Sequence, residues 1–281
     1  MIQYLFLGRV AYDDGLRLQS EIAALRLEGR VHNVLLLLEH PPVLTLGRNA
    51  HRENVLASDK LLASRGVTLY EINRGGDVTY HGPGQLVGYP IFDLRSLVNG
   101  RGGRLGPVDF VRMMEEALIR VCGEFGVRAG RIAGLTGVWC DAAAESKDVG
   151  QTPGKGQERK IGAIGIHVSR GITSHGFAFN VTTDLREFQL INPCGITDKP
   201  VTSLEREIPE EVALPGLEEI AHQAARQFGH VFGQQVLAVE SLDALRPQAD
   251  GPLLKPAEDV PLQVPREVER LHGDPERPVR A

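Results

Sequence analysis

The apolar positions of this chain change between helical and strand-like spacing, which predicts an α/β fold. After an opening strand, one helical stripe consists of Ala11, Leu18, Ile22 and Leu25. Residues 34–38 form a continuous apolar run stopped by Pro41, as expected for a strand buried on both faces. Residues 86–94 form another apolar stretch, and Pro90 within it predicts a sheet edge or a bulge.

The second half of the chain continues this pattern. A core-facing helix is predicted from Val111, Met114, Leu118, Val121, Cys122 and Phe125, with Glu115, Glu116 and Arg120 off that face. Residues 137–140 predict a strand that runs into a loop. Two further strands, 161–168 and 176–181, are joined by a turn at 169–171, and a last helix covers 218–232. Together, these strands and helices predict a single α/β or α+β domain in which helices flank a mixed sheet.

Local composition divides the chain into a folded domain and two variable segments. Residues 1–240 carry the periodic apolar pattern of one domain, without internal repeats. Residues 142–159 are rich in Gly, Lys, Glu and Gln, which predicts an exposed, mobile loop. Residues 247–281 carry seven prolines among charged residues, which is typical of a disordered tail.

Composition excludes several classes of protein. With 24% charged residues and a formal net charge of -5, the 281-residue chain has no field that attracts nucleic acid. No secretory signal or apolar run long enough for a membrane span is visible, so we expect a cytoplasmic protein. Three cysteines are too few for a disulfide framework, and the histidines show no metal-ligand spacing.

The segment from Arg74 to Gln85 is the first candidate for chemistry. Four glycines in twelve residues allow backbone to approach a ligand closely, and Arg74 and His81 bracket the loop with polar donors. The pattern is neither Gly-x-Gly-x-x-Gly nor a phosphate loop, so nucleotide binding is not indicated. A tight structural turn beside a strand is the alternative.

Lys160 and Cys194 are the candidate reactive side chains. Lys160 opens an apolar strand, where a lysine is either a solvated strand end or a partly desolvated ammonium that pairs with an anion. Cys194 lies in the sequence Asn-Pro-Cys-Gly, outside any apolar stripe, so packing does not explain it and it can be either reactive or structural. Cys122 lies on a helical core stripe and is expected to be structural.

Three segments together resemble one enzyme family. Residues 74–86 (RGGDVTYHGPGQL), 160–165 (KIGAIG) and 192–195 (NPCG) are similar to the lipoyl(octanoyl) transferases, the LipB family, in the same order along the chain. The resemblance runs from about Tyr4 to Phe232. It implies an α/β fold related to the catalytic domains of lipoate and biotin protein ligases. The long loop and the proline-rich tail depart from the family pattern.

The resemblance also implies an activity. It implies transfer of an octanoyl (lipoyl) group from octanoyl-acyl carrier protein to a lysine of lipoyl domains, those of 2-oxoacid dehydrogenase complexes and the glycine cleavage H protein. No cofactor and no metal are implied. Cys194 is expected to carry the acyl thioester and Lys160 to lower its pKa. The implied substrate-binding residues are Arg74, Gly75, Gly76, Asp77, Val78, Thr79, Tyr80, His81, Ala163, Ile164, Gly165, Gly176, Phe177 and Ala178.

Two other functions remain open at this point. An ATP-dependent lipoate ligase on the same fold would need a pyrophosphate-binding loop and would not need Cys194. A binding module for lipoyl carriers without catalysis would need neither Lys160 nor a reactive thiol. For the transferase, we expect backbone N–H groups of the glycine-rich segments, with His81, to stabilise the oxyanion, and small residues on strands 161–168 and 176–181 to leave room for the acyl chain.

Overall fold

The protein is described by a computed structural model that covers residues 1–98, 102–141, 157–193 and 199–245. The predicted tail at 247–281, residues 142–156 of the predicted loop, and Cys194 lie outside the described residues. The predicted α/β class is confirmed, because helices flank a mixed sheet.

Groups of one to four consecutive strands are separated by helices along the chain. The strands are β1 (Ile2–Arg9), β2 (Asn33–Glu39), β3 (Val43–Leu46), β4 (Thr68–Glu71), β5 (Val78–His81), β6 (Gln85–Ile91), β7 (Ala129–Ile132), β8 (Leu135–Cys140), β9 (Arg159–Ser169), β10 (Ile172–Asn180) and β11 (Val236–Ala238). The helices are α1 (Tyr12–Leu27), α2 (Asp59–Ser64), α3 (Pro107–Glu124), α4 (Leu204–Glu207), α5 (Leu217–Phe232) and α6 (Leu242–Leu245). Within the described ranges, none of these helices is long and apolar enough to cross a membrane.

A large sheet forms the centre of the molecule, with strand order β11-β1-β2-β6-β10-β9-β8-β7. Its inner strand β2 is buried on both faces, as predicted from the apolar run, and Leu35 to Leu38 are fully inaccessible to solvent. Leu35 and Leu37 pack with α3 and α5 on one face, whereas Leu36 and Leu38 pack with α1 on the other. Alternation of side chains along one strand therefore joins two separate cores.

At Pro90 the structure shows neither the predicted sheet edge nor the predicted bulge. Strand β6 is not a sheet edge, because it lies between β2 and β10. Its pairing with β10 is nevertheless interrupted: the regular ladder ends at Gly88 and backbone contact resumes where Thr173 N donates to Phe92 O at 2.9 Å. A proline has no N–H to donate to a neighbouring strand, which explains the gap.

A smaller sheet of three strands, β4-β3-β5, lies beside the main one. Its core contains Leu44, Val78 and Tyr80, together with Phe188 and Ile191 from the segment that leads to Cys194. This second core positions β5, which carries the second half of the Arg74–His81 segment.

Helix α3 forms as predicted, but Glu115 is not on its exposed side. Its side chain is completely buried, accepts a hydrogen bond from Gly137 N at 2.9 Å, and pairs with Arg112 and Arg131 at 2.8 and 3.1 Å. Three charge-assisted partners compensate for the loss of water around the carboxylate. Helical periodicity alone cannot detect such compensation.

Strands β8 and β9 form a hairpin whose last pair is Cys140 and Arg159, so Arg159 belongs to a strand and not to the predicted loop. The Arg159 guanidinium donates to Asp141 at 2.7 Å and to Glu207 of α4 at 2.8 Å. These ion pairs hold together the two chain positions between which the segment 142–156 is inserted.

Candidate functional site

A cavity of about 510 Å³ lies between the two sheets, within the size range of small-molecule sites. It is lined by residues of β5, β9 and β10, by Tyr12 of α1, and by the chain between residues 49 and 54. The cavity gathers most of the predicted site: Arg74, Gly76, Asp77, Thr79, His81, Lys160, Ala163, Ile164, Gly165, Gly176, Phe177 and Ala178.

The remaining predicted residues are placed elsewhere. Val78 and Tyr80 alternate with Thr79 and His81 along β5, so they point into the core of the small sheet instead of the cavity. Gly75 does not line the cavity, but its N–H donates to Ile166 O at 2.9 Å, which fixes the Arg74–Gly76 turn across β9.

The floor of the cavity consists of two pairs of small residues. Ala163 faces Ala178 and Gly165 faces Gly176 in the antiparallel register of β9 and β10. A Cβ on Gly165 would stand 2.5 Å from Gly75 O, and one on Gly176 would stand 2.1 Å from the carbonyl oxygen of Gly88. Both positions therefore require glycine, because a side chain would overlap the neighbouring backbone. The space that they leave for a ligand follows from this packing.

Arg74 holds the glycine-rich loop in place. Its buried guanidinium donates to the carbonyl oxygen of Thr45 at 2.7 Å and to the hydroxyl of Thr45 at 2.9 Å. It also donates to Gly75 O at 3.1 Å. The loop thus carries a permanently charged group at the cavity wall, and that group is fixed by oxygen acceptors.

Asp77 connects this loop to the segment that precedes Cys194. Its carboxylate accepts hydrogen bonds from Val78 N at 2.7 Å, from His51 N at 3.1 Å and from the Asn54 amide. Asn54 in turn accepts a hydrogen bond from Asn192 N at 2.7 Å through its backbone carbonyl. Both carboxylate oxygens are thus occupied by donors of the protein, which indicates a role in holding the site together.

His81 is a buried, neutral imidazole. Gln85 donates through its amide nitrogen to Tyr80 O and to Asn180 Oδ1, so its oxygen accepts from His81 Nδ1 at 2.8 Å. That assignment leaves His81 Nε2 without a proton, facing the hydroxyl of Thr45 at 3.5 Å. Burial lowers the pKa of His81 to about 3. In this tautomer His81 accepts hydrogen bonds at the cavity and does not donate one to an oxyanion.

Two other histidines near the cavity are also neutral. His40 Nδ1 donates to Val10 O at 2.7 Å, and its Nε2 accepts from the Tyr89 hydroxyl at 2.6 Å. His175 Nε2 bonds Asn73 Oδ1 at 2.7 Å. Burial lowers the pKa values of both histidines to about 4.

These three histidines predict loss of stability in acid. In the unfolded chain each has a pKa near 6.5, so below that pH the unfolded state binds protons that the folded state excludes. Stability is therefore complete above pH 6.5 and falls as the pH approaches 4. We expect a decrease of roughly 4 kcal/mol in the free energy of unfolding between pH 7.5 and 5.5. Urea unfolding at several pH values measures it, and a constant value over this range would contradict the three pKa assignments.

Lys160 is buried at the cavity, and its strand-end position does not leave it in solvent. Its Nζ lies 4.8 Å from the centre of the Trp139 ring, within the range of a cation–π contact. Its backbone N–H donates to Pro200 O, and its carbonyl accepts from Thr202 N, both at 2.9 Å. Pro193 and Lys160 together line a second, much smaller cavity. Lys160 is therefore bonded to residues that follow the segment 194–198 and shares a small cavity with the residue that precedes it.

The two other cysteines are buried and are not suited to nucleophilic chemistry. Burial raises the pKa of Cys122 well above its usual value and raises that of Cys140 to about 12. A thiol with a raised pKa is inert at neutral pH. Among the residues that the structure describes, no cluster of three or more His, Cys, Asp or Glu side chains is arranged to hold a metal ion.

Sequence reasoning missed several residues of the cavity wall: Tyr12, Asn49, His51, Asn54, Val87, Tyr89, Gly134, Leu135, Thr136 and His175. Most of them lie far along the chain from the three motifs, so only the fold brings them in. Val87, Tyr89 and His175 are the exceptions: Val87 and Tyr89 closely follow the 74–86 motif, and His175 directly precedes Gly176. Their positions next to predicted segments were the available indication.

Known proteins resemble this chain along most of its length. A family model described as the lipoyl protein ligase A/B catalytic domain matches residues 11–228. The octanoyltransferase of Acidobacterium capsulatum is 60% identical over 249 residues, which cover 88% of this chain and 97% of that protein. The octanoyltransferase of Koribacter versatilis is 49% identical, with 98% of both chains covered.

Solved structures of lipoate ligases share the fold. A bipartite lipoate protein ligase from Thermoplasma acidophilum matches with a TM-score of 0.61 at 17% identity, covering 87% of this chain and 89% of that one. Lipoate-protein ligase A bound with ATP matches with a TM-score of 0.59 at 18% identity, covering 86% and 89%. The resemblance inferred from the three motifs is thereby confirmed. The chain belongs to the lipoyl protein ligase A/B catalytic domain family and, within it, to the octanoyltransferases, which are acyltransferase enzymes.

Proposed function

We propose that this octanoyltransferase takes its acyl group from octanoyl-acyl carrier protein, carries it as a thioester on Cys194, and transfers it to a lysine of lipoyl domains. The acceptor lipoyl domains belong to 2-oxoacid dehydrogenase complexes and to the glycine cleavage H protein. The reaction takes place in the cytoplasm. The observation that carries the proposal is the position of Lys160. It is buried at a cavity of suitable size, its backbone is hydrogen-bonded to Pro200 and Thr202, and it lines a small cavity together with Pro193, the residue before Cys194.

In the first half-reaction, the Cys194 thiolate attacks the carbonyl carbon of the carrier thioester. The tetrahedral intermediate collapses by breaking the bond to the carrier sulfur, which leaves as a thiol after taking a proton. Lys160 as an ammonium favours the Cys194 thiolate and is the proton source for the departing sulfur. One thioester replaces another, so this step needs no external energy source.

In the second half-reaction, the amine of the acceptor lysine attacks the thioester on Cys194. The acceptor lysine attacks as a neutral amine, after its ammonium form has released one proton to solvent. The neutral Lys160 left by the first step then accepts a proton from the attacking nitrogen as the C–N bond forms. The new amide bond forms as the bond to Cys194 breaks, and the enzyme returns to its starting protonation state. His81 presents a hydrogen-bond acceptor at the cavity and therefore does not donate to the oxyanion. Backbone N–H groups at the cavity stabilise the oxyanion in both steps instead.

The enzyme is expected to work without ATP. Purified protein incubated with octanoyl-acyl carrier protein and a lipoyl domain should produce the octanoylated domain, detected by intact mass, because conversion of a thioester to an amide is downhill. Free octanoate with ATP and Mg²⁺ should yield no product. Product from free octanoate and ATP alone would identify an ATP-dependent ligase instead, and binding of the lipoyl domain without acylation would identify a binding module.

A further inference from the structure

His175 lies between two cavities. It lines the substrate cavity and also a second cavity of about 400 Å³ on the other side, next to α1. The second cavity has a mixed wall that includes Leu16, Gln19, Ile72 and Ser174. One side chain is thus part of the wall of both spaces.

The backbone at His175 is responsible for this position. Alternation along β10 would place His175 on the same face as Phe177 and Phe179, which pack into the core with α3 and α5. Instead, its φ is +57°, a left-handed conformation that is uncommon for a residue with a Cβ. Its side chain faces the cavities. Such a conformation persists only where surrounding contacts determine it.

Two hydrogen bonds hold His175 in that conformation. Its N–H donates to Gln19 Oε1 at 2.7 Å, and its ring bonds Asn73 Oδ1 at 2.7 Å. Both contacts reach residues distant in sequence, and both occur where Pro90 interrupts the ladder between β6 and β10. These hydrogen bonds therefore fix the imidazole in one orientation in the cavity wall, unlike a freely rotating surface side chain.

The position of this wall matches the length of the substrate. The small floor of the cavity begins at the pair Ala163–Ala178, which lines the same two cavities as Lys160, and continues to Gly165–Gly176. The next residue of β10, His175, has Ile166 as its register partner. Three residues of strand separate Ala163 from Ile166, or about 10 Å. An extended eight-carbon chain whose carbonyl carbon lies over the Ala163–Ala178 pair would end at His175.

We infer that His175 determines the acyl-chain length that this enzyme accepts, because it closes the far end of the substrate cavity and separates it from the second cavity. This inference rests on the proposed function. An acyl chain longer than eight carbons meets the imidazole in the wild-type protein. Without that side chain the two cavities join, and the end of the chain passes into the second one.

The test uses His175→Gly, because glycine adopts a positive φ without strain and the variant is therefore expected to fold. Acyl-enzyme formation is followed by intact mass with octanoyl-, dodecanoyl- and tetradecanoyl-acyl carrier protein. We expect the dodecanoyl-to-octanoyl ratio of second-order rate constants to rise at least about tenfold, which is the range a misfitting methylene costs in an apolar pocket. His175→Asn also tolerates a positive φ and should give an intermediate ratio.

His167→Ala serves as the matched control, because His167 lies on β9 opposite Ser174 but lines neither cavity. Its chain-length ratio should equal that of the wild type. An unchanged ratio in both folded His175 variants would overturn the inference while leaving the thioester mechanism intact. If wild-type protein formed no acyl-enzyme, the proposed function would fail instead. Thermal shifts with free fatty acids of eight to fourteen carbons would then still show whether His175→Gly moves the preferred length.

Discussion

Cys194→Ala is expected to abolish octanoyl transfer, with turnover reduced by about 10³-fold or more, because no other thiol can take over the covalent step. Intact mass after incubation with octanoyl-acyl carrier protein should show a single octanoyl adduct on the wild-type protein and none on the variant. The adduct should disappear when a lipoyl domain is added, with matching appearance of the octanoylated domain. These two observations together would establish the adduct as an intermediate.

The controls for this experiment come from the other two cysteines. Cys122→Ala and Cys140→Ala remove buried thiols with raised pKa values, so both variants should retain the adduct. Cys122 is completely buried in the core, and its replacement is expected to lower stability through lost packing without changing the chemistry. A thioester adduct that persisted on Cys194→Ala would show that another residue is the nucleophile.

Lys160→Gln is expected to have the next largest effect, a loss of about 10²- to 10³-fold in turnover, which is typical for removal of a general acid–base group. A free thiol has a pKa near 8.5, and a nearby ammonium that lowers it to about 6.5 raises the thiolate fraction at pH 7 from about 3% to about 75%. The pH profile of Cys194 alkylation by iodoacetamide should therefore move to higher pH in the variant. Glutamine keeps most of the side-chain volume, so packing is largely preserved, although the cation–π contact with Trp139 is lost.

Lys199→Gln is the matched control for Lys160→Gln. Lys199 is a nearby lysine that pairs with Glu158, and it does not line the substrate cavity. Its loss should leave both turnover and the alkylation profile close to those of the wild type. If Lys160→Gln slowed turnover but left the alkylation profile in place, Lys160 would act only on the incoming amine. If neither quantity changed, the pairing with Cys194 would be wrong.

The main elements of the fold could be predicted because their apolar patterns are long and regular. Residues 34–38 specify a strand buried on both faces, and the stripe from Val111 to Phe125 specifies α3. The errors occur where contacts that the apolar pattern does not reveal determine whether a single residue is buried. Glu115 is buried because Arg112, Arg131 and Gly137 N satisfy it. Pro90 can lie inside the sheet because the pairing of β6 with β10 is interrupted where its backbone N–H would be needed.

The candidate site was only partly accessible to sequence reasoning. An unusual glycine density marks the Arg74–Gln85 segment, but glycine density does not reveal that Val78 and Tyr80 face a separate core. Alternation along a four-residue strand is visible only once the neighbouring sheet is known. Asn54 takes part through its contact with Asp77. No local sequence pattern indicates such a contact.

The ion pairs of Arg159 have a practical consequence for protein engineering. Asp141 and Arg159, which flank the segment 142–156, are joined side chain to side chain, and Glu207 fastens the same guanidinium to α4. The two chain positions that flank that segment are therefore held by the hairpin β8–β9 and by these side chains. We expect a short glycine–serine linker in place of residues 142–156 to leave the hairpin intact as long as Asp141, Arg159 and Glu207 are kept.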